Sequence, residues 1–408
     1  MAAVEIAAPP RGRWVMLALV TLVQVSAAVG TQGLGAMTGI VHDEFGLSDL
    51  QVGLMVTAAG AVPVAALFVV GDLVDRHGER WVLAAGCLVM TAGLAGAGAA
   101  PAYPVVLACL VLAGAGYSTV QPGGSTSISA WFPAGRRGVA MGIRQAGLPV
   151  GGAVAAVALP ALATALGWRA AFFGAAVVVL AGGVVFAAAY RPAPGRAGGG
   201  PGPGRGSEDG SGGLVSRLGE TLREPWMRPV LATGVPMVGL QFGLTAYLAL
   251  FVRSAFHRPL SQGVLLLGLL QVCGVAGRVA LAAWSDRSRR PRLVTVRAGM
   301  IVTGGSLAVL AVLPAGTPPA VLAGVTAVLG LAGIGWYGPW VAHIADAAPA
   351  GGTGRALGAA MAANQVAIVA APPAVGLLRD LTGSYRPGWL AFAAVTVLAA
   401  VSARTRPP

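Results

Sequence analysis

The chain has 408 residues, and its balance of apolar and charged residues excludes an ordinary soluble protein. Apolar residues make up 56% of the sequence, charged residues only 10%, and the mean hydropathy is +0.76. A soluble protein of this size needs a charged surface, so this composition predicts a protein solvated by lipid. The net charge of +13 does not indicate nucleic-acid binding, because the arginines that produce it are spread over short segments between apolar runs.

Twelve apolar runs are long enough to cross a bilayer, which takes about 20 predominantly apolar residues per helix. The first run is too long for the apolar part of a signal peptide, and further spans follow it. We number the predicted spans in chain order. The first six cover 14–36, 50–71, 81–100, 104–130, 138–163 and 169–190, and the second six cover 228–252, 262–284, 293–314, 318–345, 355–378 and 387–403.

A segment rich in Gly, Pro and Arg separates the two sets of spans, and this composition is typical of a flexible linker. We therefore predict an all-α membrane protein with twelve transmembrane helices in two pseudo-symmetric six-helix bundles. The N-terminal bundle covers 1–190, the cytoplasmic linker 191–225 and the C-terminal bundle 226–408.

The arginines predict the orientation, because cytoplasmic loops carry an excess of basic residues. Twelve spans place both termini on one side, and that side receives twenty arginines against five on the other. We therefore expect a multi-pass protein of the cytoplasmic membrane with both termini in the cytoplasm. The five arginines on the opposite side are Arg169, Arg253, Arg258, Arg379 and Arg386.

Two segments of the first half recur at equivalent loops of the second half. The segment at 71–76, Gly-Asp-Leu-Val-Asp-Arg, matches Ala-Ala-Trp-Ser-Asp-Arg at 282–287, which places Asp75 and Asp286 211 residues apart. The segment that begins at Pro133 matches the one that begins at Pro349, at an offset of 216 residues. Two matches at nearly one offset indicate a duplicated six-helix unit.

The segment at 71–80, Gly-Asp-Leu-Val-Asp-Arg-His-Gly-Glu-Arg, resembles the signature between helices 2 and 3 of the major facilitator superfamily. The resemblance covers nearly the whole chain and implies two bundles around a central cavity near the bilayer midplane, which rock about a bound substrate. It also implies a cytoplasmic latch between the bundles, for which a plain cytoplasmic loop is the alternative. The latch residues would be Gly71, Asp72, Asp75, Arg76, Gly78 and Arg80, with Asp286 and Arg287 from the repeat.

Other segments bear on the branch of the superfamily. Pro372-Pro373 and the run from Asp380 to Tyr385 are similar to the end of helix 11 in anion-transporting branches. Multidrug:proton antiporters typically carry an arginine in helix 4, which the run 107–116 lacks. Their helix 5 motif is out of register here, because Pro149 stands two residues before Gly151. These departures disfavour a drug antiporter.

Two arginines fall within predicted spans, where a charge is costly and therefore a functional candidate. Arg278 in span 8 resembles the arginine that monocarboxylate and oxalate:formate carriers place there, and the resemblance implies that it pairs with a substrate carboxylate. Its alternatives are snorkelling to the cytoplasmic surface or a structural tie to Asp286. Arg144 in span 5 could form a second cationic wall of the cavity, or it could snorkel. No Asp or Glu lies near the middle of a span, so an anionic cargo fits the electrostatics.

Polar and aromatic residues on the expected cavity helices complete the predicted substrate site. Each alone could instead be an interhelical hydrogen bond. His343 could titrate near neutral pH and carry a coupling proton, or it could simply be interfacial. The candidates besides Arg278 and Arg144 are Gln145, Gln24, Tyr117, Gln121, Gln241, Tyr247, Gln271, Trp336, Tyr337 and Asn364.

The sequence predicts no enzyme, no cofactor and no metal site. It contains no Gly-Lys-Ser/Thr phosphate loop, and its three cysteines lack metal-ligand spacing. The favoured function is secondary transport of a small organic anion such as a monocarboxylate by a lipid-embedded monomer that binds no nucleic acid. The alternatives are efflux of hydrophobic or cationic compounds and a non-transporting sensor built on the same fold.

Overall fold

A computed structural model describes residues 10–193, 214–288, 290–349 and 353–403. Most of these residues are helical, and none of them lies in a strand. Ten stretches of the described helices are long and apolar enough to cross a bilayer. Two shorter apolar helices, Asp49–Val62 and Arg386–Ser402, lie where spans 2 and 12 are predicted.

Six helices form the N-terminal bundle, a short helix follows, and seven helices form the C-terminal bundle. The first group is α1 (Pro10–Phe45), α2 (Asp49–Ala99), α3 (Tyr103–Tyr117), α4 (Val120–Trp131), α5 (Ala134–Leu166) and α6 (Trp168–Ala189). The short helix is α7 (Leu214–Arg223). The last group is α8 (Met227–Phe256), α9 (Leu260–Arg287), α10 (Arg292–Val312), α11 (Pro319–Gly333), α12 (Tyr337–Ala347), α13 (Thr353–Thr382) and α14 (Arg386–Ser402).

Predicted spans 2 and 3 follow each other within α2, which is broken at one residue. Gly78 has a φ of 76° and a ψ of 154°, while its neighbours are helical. A positive φ of this size is costly for residues with a Cβ atom, so glycine is the residue that allows the chain to turn there. Gly78, the second glycine of the latch segment, therefore marks the boundary between spans 2 and 3.

Spans 4 and 10 are each divided into two helices, although hydropathy predicts one continuous helix in each place. Span 4 consists of α3 and α4, and span 10 of α11 and α12. Pro122 and Pro339 stand at the third position of α4 and α12, 217 residues apart. A proline lacks the N–H that would bond to the carbonyl four residues earlier, so each helix is interrupted just before it. The break therefore follows the internal repeat.

The predicted flexible linker contains a helix in its described part. The sequence of α7, Leu-Val-Ser-Arg-Leu-Gly-Glu-Thr-Leu-Arg, is free of proline and amphipathic. Leu222 and Trp226 pack against an apolar cluster of the C-terminal bundle around Met227 and Val230. The end of α7 is thereby attached to the C-terminal bundle, unlike a Gly-rich linker; residues 194–213 lie outside the described part.

The two bundles meet along several pairs of helices, and in three of these pairs a glycine permits close approach. Gly35 of α1 lies against the backbone of Thr245 in α8, where an added Cβ atom would overlap the carbonyl. A Cβ atom at Gly53 of α2 would lie 2.6 Å from the backbone of Pro373 in α13. One at Gly152 of α5 would lie 2.6 Å from the side-chain nitrogen of Gln271 in α9. Small residues of this kind let helix backbones approach in a membrane.

One end of the structure is closed between the bundles by hydrogen bonds; we call it the distal end. It holds the α1–α2, α8–α9 and α13–α14 loops. The carboxylate of Asp380 accepts hydrogen bonds from the backbone N–H groups of Asp49, at 3.0 Å, and Leu50, at 2.9 Å. A side chain of the C-terminal bundle thus caps the first turn of α2, where the helix dipole favours an anion.

Further contacts surround this cap. Tyr247 donates to the carbonyl oxygen of Asp49 at 2.6 Å, and Tyr385 donates to the Asp49 carboxylate. Nearby, Arg253 of α8 binds Asp43 of α1 through both guanidinium NH₂ groups, at 2.5 and 2.9 Å. The Asp43 side chain is 52% exposed, so this pair contributes less than the buried contacts of Asp49.

Loss of the Asp380 cap should weaken closure of the distal end. Loss of a helix cap costs about 0.5–2 kcal/mol, so Asp380→Ala should raise the ratio of open to closed distal ends by about 2- to 30-fold. Distances between spin labels on the α1–α2 and α8–α9 loops, measured in lipid nanodiscs, would report this ratio. Asp346→Ala removes the same charge from an exposed residue far from this cap and serves as the control. Equal distance distributions for wild type and Asp380→Ala would contradict the prediction.

Candidate functional site

Arg144 lies on α5 and points into the N-terminal bundle. Its guanidinium donates to the side-chain oxygen of Gln24 in α1 at 2.9 Å and to that of Gln121 in α4 at 2.8 Å. A longer bond of 3.3 Å reaches the Ser125 hydroxyl. The residue is 1% exposed, so it does not snorkel. Three neutral side chains from two helices hold this charge in one orientation.

Arg278 occupies the facing position on α9 of the C-terminal bundle. Its guanidinium donates to the backbone carbonyl of Gln145 in α5 at 2.6 Å, which crosses the seam between the bundles. The guanidinium carbon lies 4.9 Å from the centre of the Tyr337 ring, a cation–π contact. The residue is 8% exposed, and Asp286 pairs with Arg292 at 2.5 Å. Neither the snorkelling alternative nor the tie to Asp286 describes this arrangement.

Gln145 and two tyrosines join the surroundings of the two arginines into one site. The Gln145 side chain donates to the Tyr337 hydroxyl at 3.3 Å, again across the seam. Tyr117 of α3 lies beside Gln24 and Gln121, the two partners of Arg144. The Tyr117 and Tyr337 side chains are each within electrostatic range of both guanidinium groups. We call Arg144, Arg278 and these neighbours the arginine site.

The positive charge of the arginine site has no counter-ion in the part of the chain that the structure describes. Among the described residues, no carboxylate forms an ion pair with Arg144 or Arg278. Burying a cation in a site of low dielectric without an anion costs several kcal/mol. Several buried polar atoms of the site and its neighbourhood also lack a hydrogen-bond partner among the residues that the structure describes, namely Arg144 Nε, Arg278 Nε, Gln24 Nε2, Trp336 Nε1, Asn364 Nδ2 and Asn364 Oδ1.

The structure brings together seven of the twelve predicted substrate residues. These are Arg144, Arg278, Gln24, Gln121, Gln145, Tyr117 and Tyr337. Trp336 is next to them, with its ring centre 5.7 Å from that of Tyr337.

Of the other four, three lie elsewhere and Asn364 lies beside the site. Gln271 packs on Gly152 at the α5–α9 seam, and Gln241 is buried in α8, where its backbone carbonyl accepts from Thr245. Tyr247 belongs to the distal closure, and Asn364 lies one turn beyond Met361, the residue that the Tyr337 hydroxyl contacts at 3.2 Å.

The predicted latch is described only in part. The surroundings of Gly71 and the side chains of Asp72 and Asp75 lie outside the described part, while Arg76 is exposed. Arg80 donates to the backbone carbonyl of Ala187 in α6 at 2.7 Å. In the repeat, Arg287 is exposed, and Arg292 bridges Asp286 and Asp346 at 2.5 and 2.8 Å.

Residues that were not predicted from the sequence contribute to the arginine site and to the distal end. Ser125 follows Gln121 by four residues on α4, so helical spacing alone indicates that it shares a face with a predicted site residue. Asp49 and Asp380 carry no signal of that kind, because their contact joins helices from opposite halves of the chain. Trp340 is fully buried beside Tyr337, with ring centres 5.7 Å apart.

The family follows from a match over most of the chain. The model of the Major Facilitator Superfamily matches residues 20–372, a range that includes the arginine site and the distal contacts except those of Asp380 and Tyr385. The chain belongs to the major facilitator superfamily. This confirms the predicted fold class of twelve transmembrane helices in two pseudo-symmetric bundles, and it makes the protein a multi-pass membrane transporter and not an enzyme.

Relatives and solved structures agree with this assignment. The gentisate transporter of Corynebacterium glutamicum is 27% identical over 375 residues, which is 90% of this chain and 82% of that one. The probable sulfoacetate transporter of Cupriavidus necator is 26% identical over 183 residues, 45% of this chain and 42% of that one. A crystal structure of a bacterial homolog of the human lysosomal transporter Spinster, inward-facing and unoccupied, matches with a TM-score of 0.75. It is 16% identical and covers 97% of this chain and 96% of that chain.

The unpaired charge at Arg278 should make the ligand-free transporter less stable than a neutral variant. Methionine has a similar length and no charge, so Arg278→Met removes the desolvation cost while it preserves most of the packing. We expect the free energy of unfolding to rise by about 1 kcal/mol or more, and the melting temperature in detergent to rise by about a few degrees. Arg287→Met, at an exposed position of the same helix, should leave the melting temperature unchanged. A fall of several degrees in Arg278→Met would show that Arg278 stabilises the fold instead.

Proposed function

We propose that this transporter moves a small organic anion, such as a monocarboxylate, across the cytoplasmic membrane by secondary active transport with alternating access. The observation that carries the proposal is the pair of buried guanidinium groups without a carboxylate partner among the described residues. A bound anion supplies the missing negative charge. A lipophilic cation would add to the unpaired positive charge, which disfavours the efflux alternative.

The chemistry of the arginine side chain suits this ligand. A guanidinium group offers five N–H donors in a planar fork, and a carboxylate accepts two of them side by side. Arg278 uses one nitrogen for the Gln145 carbonyl, and its Nε has no partner. Arg144 uses its two terminal nitrogens for side chains, and its Nε also has no partner. Both residues therefore retain donors for an anion.

The position of the two arginines suits alternating access. Arg144 belongs to the N-terminal bundle and Arg278 to the C-terminal bundle, on helices that pack against each other. An anion that contacts both groups ties the bundles together, and its release leaves two like charges that favour separation. Binding and bundle movement are in this way coupled by charge.

Two relatives support an anionic cargo. The names of the gentisate transporter and the probable sulfoacetate transporter specify organic anions for those proteins. Their identities of 27% and 26% do not carry over a particular substrate. We carry over from these relatives only the anionic character of the substrate, because the arginine site of this chain supports it independently.

The orientation, the domain boundaries and the oligomeric state stay predictions. With both termini in the cytoplasm, the distal end faces outward, and the described form is closed toward the outside. The two bundles would cover 1–190 and 226–408, and the linker 191–225; the protein would function as a monomer in lipid. A coupling proton at His343 is a further possibility that the proposal does not require.

Ligand-dependent melting of the purified protein tests the proposal. A ligand stabilises by about RT ln(1 + [L]/Kd), so simple carboxylates and inorganic anions at millimolar concentration should raise the melting temperature of wild type. We expect no such rise in Arg278→Met or Arg144→Met, and a normal rise in the control Arg287→Met. A rise with lipophilic cations alone would overturn the proposal in favour of the efflux alternative.

We also propose that the segment at 71–80 acts as the cytoplasmic latch that the family resemblance implies. Asp75→Asn should slow transport while the protein still reaches the membrane, because loss of the carboxylate weakens one of the two closed states. Uptake into proteoliposomes, normalised to the amount of protein, measures this rate. Glu44→Gln, at an exposed distal residue, provides the control for charge. A wild-type rate in Asp75→Asn would remove the latch.

A further inference from the structure

Beside the arginine site lies a buried amide with no hydrogen bond. Asn364 is the chain's only asparagine, and its side chain is 4% exposed. Neither its oxygen nor its nitrogen has a partner among the described residues. An amide that is buried in this way loses the hydrogen bonds it would make with water, so such groups are rare in proteins unless something else binds them.

The surroundings of Asn364 place it at one corner of the C-terminal bundle. A Cβ atom at Gly234 of α8 would lie 2.9 Å from the Asn364 oxygen and 2.5 Å from Cζ2 of Trp340. The amide and the indole therefore meet over the same stretch of α8. The indole N–H of Trp340 already donates to the backbone carbonyl of Val230 at 3.1 Å, so it does not donate to the Asn364 oxygen. Among the described residues, the two N–H donors and the oxygen acceptor of the Asn364 amide therefore all stay unused.

The corner is continuous with the arginine site. Arg278 lies over the Tyr337 ring, and the Tyr337 ring lies against Trp340. The Tyr337 hydroxyl also contacts Met361, which precedes Asn364 by three residues on α13. Three residues correspond to about one turn of a helix, so contacts within the C-terminal bundle lead from the guanidinium through Tyr337 to the turn of α13 that carries the amide.

We propose that Asn364 is a specificity residue that hydrogen-bonds a hydroxyl group of the transported anion while the arginines bind its carboxylate. This inference rests on the proposed function and narrows its substrate class to hydroxylated carboxylates. A hydroxyl group both donates and accepts, and the amide can satisfy either role. An anion without the hydroxyl leaves the amide unsatisfied and binds more weakly, because the cost of burying the amide is then not recovered.

Matched pairs of acids test the inference: 2-hydroxypropanoate against propanoate, and 2-hydroxysuccinate against succinate. Dissociation constants come from calorimetry on the full-length protein in detergent. Wild type should bind each hydroxy acid about tenfold more tightly than its partner, as one well-satisfied hydrogen bond allows. In Asn364→Leu, which keeps the volume, we expect this ratio to fall to about one while propanoate and succinate bind as in wild type.

Thr396→Val provides the matched control, because the Thr396 hydroxyl on α14 is likewise buried without a partner. It should leave the tenfold ratio intact. Equal binding of hydroxylated and unsubstituted acids by wild type would overturn the inference, whether or not the variant folds. So would an Asn364→Leu variant that keeps the preference or binds all four acids equally weakly. In these cases, loss of anion binding in Arg278→Met would still support the proposed function. If wild type binds no anion at all, the inference about Asn364 and the proposed function are both wrong.

Discussion

Two guanidinium groups are buried at and beside the seam between the bundles, and uncharged groups hold them through hydrogen bonds and one cation–π contact. Arg144 is oriented by Gln24 and Gln121, and Arg278 by the Gln145 carbonyl and the Tyr337 ring. These contacts orient the two charges but leave them unneutralised. The cost of the burial is met by the packing of the bundles around them, and in the function we propose an anion relieves it.

The seam between the bundles must open during alternating access, and its contacts can break and re-form. The bundles touch through close glycine contacts and through hydrogen bonds of single side chains, such as that of Thr57 to the Val369 carbonyl at 2.6 Å. At the distal end, the Asp380 carboxylate caps a helix that belongs to the other bundle. Such contacts are made or lost as a set when rigid bundles rotate, so the closed form can be stable and still reversible.

Local interruptions of the helices occur where the repeat places them. Pro122 and Pro339 divide the fourth and tenth spans at equivalent points, and the second piece of each span begins beside the arginine site. Gln121 stands just before the first proline and Tyr337 shortly before the second. Irregular backbone inside a membrane is tolerated where it borders a cavity or is buried in protein, and here the irregular segments carry polar side chains of the arginine site.

The sequence by itself determined the span positions, the internal repeat, the family and the two buried arginines on which the proposed function rests. It could do so because hydropathy, charge placement and spacing along one helix are local properties. It also indicated an anionic cargo, since no span carries a central acid to oppose Arg144 and Arg278. Only the tertiary structure decided which polar residues meet. Gln145 and Tyr337 join across the seam, Tyr247 belongs to the distal closure, and Asp380 caps α2 from more than 300 positions away. Such contacts depend on how two separately encoded bundles dock, and no pattern along a single helix records that geometry.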